Sequence, residues 1–70
     1  MKIYCNEEVT KTLLHHDDWI VSDDIEKITI GIEVGCNTIY IGEETDSFCP
    51  TLFAPSVELA LLFIQANEEI

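Results

Sequence analysis

Every second residue from Ile28 to Val34 is a β-branched apolar side chain, with Thr29, Gly31 and Glu33 between them. A period of two is the signature of a strand with one buried face, so this run predicts a strand whose residues 28, 30, 32 and 34 point into a core. Gly35, Cys36 and Asn37 follow as turn residues, and Thr38 to Gly42 resumes as a second strand with Ile39 and Ile41 inward. Together they predict a β-hairpin, with Thr38 and Tyr40 sharing the outer face with Thr29 and Glu33.

The other segments are arranged around that hairpin. Lys2 to Cys5 reads as a short strand and Trp19 to Ser22 as another. Between them Asn6 is a candidate helix cap, and Val9, Leu13 and His16 recur at helical spacing with Leu14 beside them, which predicts a short N-terminal helix ending at Asp17-Asp18. Glu43 to Leu52 reads as a loop across Phe48-Cys49-Pro50. Pro55-Ser56 then starts a C-terminal helix from Val57 to Asn67, with Ser56 as N-cap and Glu58 in the first turn. On a helical wheel Val57, Leu59, Ala60, Phe63 and Ile64 form a buried arc, while Glu58, Gln65 and Glu69 mark the solvent side. Leu62 falls on that solvent side and Leu61 at its border. The expected fold class is α+β: one domain over residues 1–70, an antiparallel sheet of three or four strands, and the C-terminal helix packed on one face.

Charge sets the second constraint. Fourteen acids against three lysines, and no arginine, give a formal net charge of −11 on 70 residues. Solubility ordinarily needs a magnitude of about 2 to 8. Ten of the acids form adjacent pairs, Glu7-Glu8, Asp17-Asp18, Asp23-Asp24, Glu43-Glu44 and Glu68-Glu69. With 47% hydrophobic residues the chain should nonetheless fold, unlike acidic tails that combine high charge with low hydrophobicity. A surface this anionic repels DNA, RNA and anionic headgroups and attracts basic protein surfaces. The expectation is no direct nucleic-acid binding, no membrane association and a cytoplasmic location, since no apolar run approaches the roughly 20 residues that span a bilayer. Cys5, Cys36 and Cys49, an odd and widely spaced set, read as reduced thiols.

No constellation points to catalysis. His15-His16-Asp17-Asp18 contains metal-ligand residue types, but neighbours in sequence rarely converge on one ion and no second ligand pair exists, so neither metal nor other cofactor is expected. Cys36 reads as a hairpin-turn thiol near Asn37, and the local signatures of cysteine enzymes are missing. Cys5 and Cys49 read as small buried hydrophobes. Trp19 and Tyr40 carry polar tips that could reach a surface, with Trp19 better placed in the core.

What remains is a binding role for the acids, and Asp17, Asp18, Asp23, Asp24, Glu33, Glu43, Glu44 and Asp46 are the candidate partner-binding residues. An acidic rim can stand in for a nucleic-acid backbone in the Arg/Lys groove of another protein. In its length, its distributed acidic doublets and its plain Met-Lys-Ile start, the chain resembles the small inhibitors of host defence made by phages and mobile elements, among them anti-CRISPR and anti-restriction DNA mimics. That resemblance implies a non-enzymatic inhibitor that blocks DNA binding by a host protein such as a CRISPR effector complex, in the host cytoplasm if phage-encoded. The alternative is a small cytosolic interaction module that forms a homodimer through its C-terminal helix, with Leu62, Leu61 and Ile70 as an apolar strip. A loop over Phe48 to Phe53 is the competing expectation for what covers Leu62.

Overall fold

The computed structural model describes residues 2–68, so Glu69 and Ile70 lie outside it. Six elements follow one another: β1 (Ile3–Cys5), β2 (Trp19–Ser22), α1 (Ile25–Val34), β3 (Asn37–Ile41), β4 (Leu52–Ala54) and α2 (Val57–Glu68). The strands form one sheet in the order β1-β2-β3-β4, and every pairing is parallel. The antiparallel sheet and its hairpin are therefore replaced by a parallel α+β arrangement, because the segment taken for the first hairpin strand is a helix.

The helix has signals at both ends. Asp24 is its N-cap, extended at φ −94° and ψ 113°, and its carboxylate accepts from the Glu26 N–H at 2.9 Å. Gly35 ends it in the left-handed region at φ 89°, and its N–H reaches the carbonyls of Gly31 and Ile32. The period-two run is split by the helical twist: Ile28 is fully buried, Ile30 and Val34 pack at its flanks, and Ile32 faces outward. A Cβ at Gly35 would meet nothing within 4 Å, so Gly35→Ala has only backbone strain to overcome. Thermal unfolding should show it about 1 kcal/mol less stable than the parent; an unchanged midpoint would mean the cap is dispensable.

The predicted N-terminal helix is also replaced. Asn6 adopts φ 57°, which an N-cap does not, and its N–H continues the ladder to the Val21 carbonyl at 3.0 Å. The chain from 6 to 18 is irregular, yet Val9 and Leu14 are buried. The loop expected over Glu43 to Leu52 ends one residue early, because Leu52–Ala54 is the fourth strand. Its pairing starts with a reciprocal couple, the Thr38 N–H to Thr51 Oγ1 and the Thr51 N–H to Thr38 Oγ1, each 3.0 Å. The C-terminal helix lies where it was expected, with the Leu59 N–H donating to Ser56 Oγ at 3.3 Å.

Alternation along the strands divides the core in two. Tyr4, Ile20, Thr38 and Tyr40 point to the first face, where Ile28 of α1 and Val9 and Leu14 of the 6–18 segment pack on them. Trp19, Val21 and Ile39 point to the second, covered by Ala60 and Ile64 of α2. The 6–18 segment, α1 and the 42–51 loop, through Phe48, all cross on the first face. Three crossovers stepping in one direction on one face share one hand, as parallel connections do. The strand order never reverses, so the sheet has no switch point at which a ligand crevice would open. No pocket opens among the described residues, and no helix there is long and apolar enough to cross a membrane.

Candidate protein-binding edge of the sheet

Parallel pairing brings the ends of all four strands to the same side of the domain. The residues that follow β1, β2 and β3 are Glu7-Glu8, Asp23-Asp24 and Glu43-Glu44, so three of the five acidic doublets meet at the carboxyl edge, one beyond each of three adjacent strands. Glu26 and Glu58 join them in the first turns of α1 and α2, which both begin at this edge. Two helix N-termini each carry about half a positive charge, which eases the crowding of carboxylates there. Every acid at the edge is exposed, as is Asp46 in the loop after β3. Asp24 also caps α1, so its carboxylate is in part committed to the fold.

The amino edge carries the other candidates. Glu33 stands in the last turn of α1, where the helix dipole disfavours it, and Lys11 Nζ meets its carboxylate at 2.6 Å. Both side chains are exposed, so the pair contributes only about 0–1 kcal/mol. Glu33 is thus on a helix, not on the open sheet face where it was expected. Asp17 is exposed beside β2. Asp18 is different: only 4% exposed, it accepts the His15 N–H on Oδ2 and the Lys2 N–H on Oδ1, each at 3.0 Å, while its carbonyl accepts from Asn37. The His15 amide does most to hold its pKa below the usual carboxylate value, and with the Lys2 amide it outweighs the opposing effect of burial. The structure uses Asp18 to join the starts of β1, β2 and β3, which takes it out of any partner surface.

The thiols also change places, whereas Trp19 lies in the core as expected. Cys36 is buried against α1 rather than held in a turn, donates to the Gly31 carbonyl at 3.4 Å, and has its pKa raised, chiefly by burial. That combination disfavours the thiolate. Cys5 is half-buried and Cys49 exposed, so neither is the buried hydrophobe expected. Trp19 is buried, its indole N–H reaching Glu68 at 3.4 Å, and Tyr40 packs edge-on against Phe48 and Phe53. No group of three or more His, Cys, Asp or Glu side chains among the described residues is placed to share a metal ion.

On α2, Leu61 and Leu62 are exposed, and so are Leu59 and Phe63, which the wheel assigned to the buried arc. The narrow stripe through Val57, Ala60 and Ile64 faces the sheet, and the half-exposed Phe63 at its flank meets the Trp19 ring edge-on at 6.2 Å between centroids. Phe48 packs on the opposite face, so its loop does not cover Leu62. The missed signal is the size of that stripe: alanine at position 60 lets the helix approach closely and leaves the larger side chains outside.

Compared with protein-family models, with curated proteins and with solved structures, the chain matches none.

Proposed function

We propose that this chain is a non-enzymatic binding protein whose acidic carboxyl edge occupies the basic, nucleic-acid-binding surface of another protein and so blocks DNA binding. The observation that supports it is the convergence of Glu7, Glu8, Asp23, Asp24, Glu43 and Glu44 beyond three adjacent strands. Strand ends roughly 4.8 Å apart set out these carboxylates as a row. A row of fixed negative charge is what an Arg/Lys groove is built to hold, and it steers association from a distance. The resemblance in size and charge to phage inhibitors suggests the target class, a DNA-binding effector of host defence in the cytoplasm.

The test is capture from a bacterial lysate across a salt series, followed by competition between this chain and duplex DNA for each captured protein. A variant carrying Glu7→Lys, Asp23→Lys, Glu43→Lys and Glu44→Lys spares the Asp24 cap and the buried Asp18. We expect it to lose about 100-fold in affinity for a captured DNA-binding protein, about 2.7 kcal/mol, with circular dichroism unchanged. Undiminished affinity, or captured proteins that DNA does not compete for, would sink the reading.

A further inference from the structure

The outward side of α2 carries a second apolar stripe that the fold does not use. Leu59, Leu62 and Ala66 follow the i, i+3, i+7 spacing and occupy an arc of about 60° on the side away from the sheet, bordered by Phe63, whose ring packs edge-on against Trp19 at 6.2 Å between centroids. Leu59 is 51% and Leu62 59% exposed, although both are large enough to fill a core. A strip of this pattern is what an amphipathic helix presents to another helix.

Charge decides what covers it. The stripe holds no charged residue, and Glu58 stands beside it in the first turn, while Glu68 turns to the sheet side and accepts from the Trp19 indole N–H. Its first member, Leu59, lies close to the acidic carboxyl edge where α2 begins. The three lysines are all on the other side of the molecule: Lys2 lies over the Tyr4 ring, Lys11 pairs with Glu33 of α1, and Lys27 is in α1 and bonds the Asn6 carbonyl. A second copy would set one acidic rim against another, across two chains of net charge −11. A helix with an apolar stripe and lysine or arginine flanks matches both the stripe and its rim. We infer that the outward stripe of α2 docks a cationic amphipathic helix of a partner protein. The apolar stripe starts beside the carboxyl edge and runs along α2 away from it, so this inference adds a second contact to the proposed function.

The probe is a synthetic 18-residue peptide of leucine and lysine with leucines at i, i+3, i+4 and i+7, compared with a peptide of the same composition whose leucines are scrambled out of helical register. Titration calorimetry at about 0.15 M salt, where exposed charges are largely screened beyond roughly 8 Å, should show the patterned peptide binding at least about tenfold more tightly. In the double variant Leu59→Ser/Leu62→Ser, which changes only exposed positions, that preference should disappear while the circular dichroism spectrum stays the same. Equal affinity for both peptides, or a preference that survives in the variant, overturns the inference. So does a concentration-dependent dimer of the parent chain in sedimentation that the same two substitutions abolish, since the occupant is then a second copy. Preferential binding of the parent chain to anionic vesicles over the patterned peptide also overturns it. The charge-reversed edge variant separates the two proposals: it weakens both peptides together and leaves the ratio between them intact.

Discussion

Gly31→Leu is expected to remove a large part of the domain's stability, about 3 kcal/mol or more. Gly31 lies where α1 comes down on the junction of β2 and β3, above the registered pair Ile20 and Thr38. A single Cβ there would stand 2.6 Å from Ile20 Cδ1, 2.6 Å from Thr38 Cγ2 and 3.2 Å from Cys36 Sγ. Ile20 could swing its terminal methyl aside, but Thr38 cannot turn without losing the bond from the Thr51 N–H to its Oγ1. The Gly31 carbonyl is tied as well, accepting from the N–H groups of Gly35 and Cys36 at 3.0 and 3.1 Å. Leucine would add three further carbons to a site that has no room for the first.

Overpacking of this kind costs about 3 kcal/mol or more, against a total stability of roughly 4–10 kcal/mol for a chain of this length. Gly31→Ala provides the graded comparison. It gains about 1 kcal/mol of helix propensity and loses about 1–3 kcal/mol to the clash, for a net loss near 1 kcal/mol. Urea unfolding followed by Trp19 fluorescence measures both. A leucine variant with the parent's midpoint would show that α1 does not sit as closely on the sheet as described.

The second large effect is expected at Asp18. Asp18→Ala leaves the His15 and Lys2 amides without their acceptor at the place where three strands start, and two hydrogen bonds to a charged group put the loss at about 2–4 kcal/mol. The lowered pKa adds a pH signature. A carboxylate whose folded pKa lies below its unfolded value of about 3.9 contributes stability above that value and loses it as pH falls through the folded pKa. Asp18→Asn keeps one acceptor oxygen and does not ionise, so the parent should exceed it by about 1–2 kcal/mol at pH 7. That gap should narrow below about pH 4. General relief of self-repulsion on acidification acts on both proteins and cancels in the comparison. A gap that persists to pH 2 would mean the ionised form of Asp18 is not what holds the strand starts.

The first three strands and the last helix are legible in the sequence, whereas β4 reads as loop, the 6–18 segment reads as a helix, and α1 misleads most. Trp19–Ser22 reads as a strand because nothing else suits four residues of that composition between acidic pairs, and Pro55-Ser56 marks α2 unambiguously. Ile28 to Val34 carries β-branched residues at every second position, a pattern that local propensity assigns to a strand. Tertiary packing overrode it. The contrary signals were present: Asp24 two residues before Glu26, Gly35 at the far end, and Gly31 in mid-run, which weakens a strand and suits a close approach.

Misreading that one element reversed the sheet from parallel to antiparallel. The convergence of the acids was lost with it, because a hairpin would send alternate strand ends to opposite sides. What the doublets share is visible only in the topology: each of three follows a strand. The burial of Asp18 had no signal in sequence, since the residues that hold it are backbone amides 3 and 16 positions away.

The two outer strands, β1 and β4, are only three residues long. An edge that short presents few unpaired amides for another chain to extend, and short edges are one way natural sheets avoid aggregation. The parallel order leaves both edges open, since the sheet does not close on itself. Their brevity, together with the mutual repulsion of chains this acidic, opposes growth by strand addition.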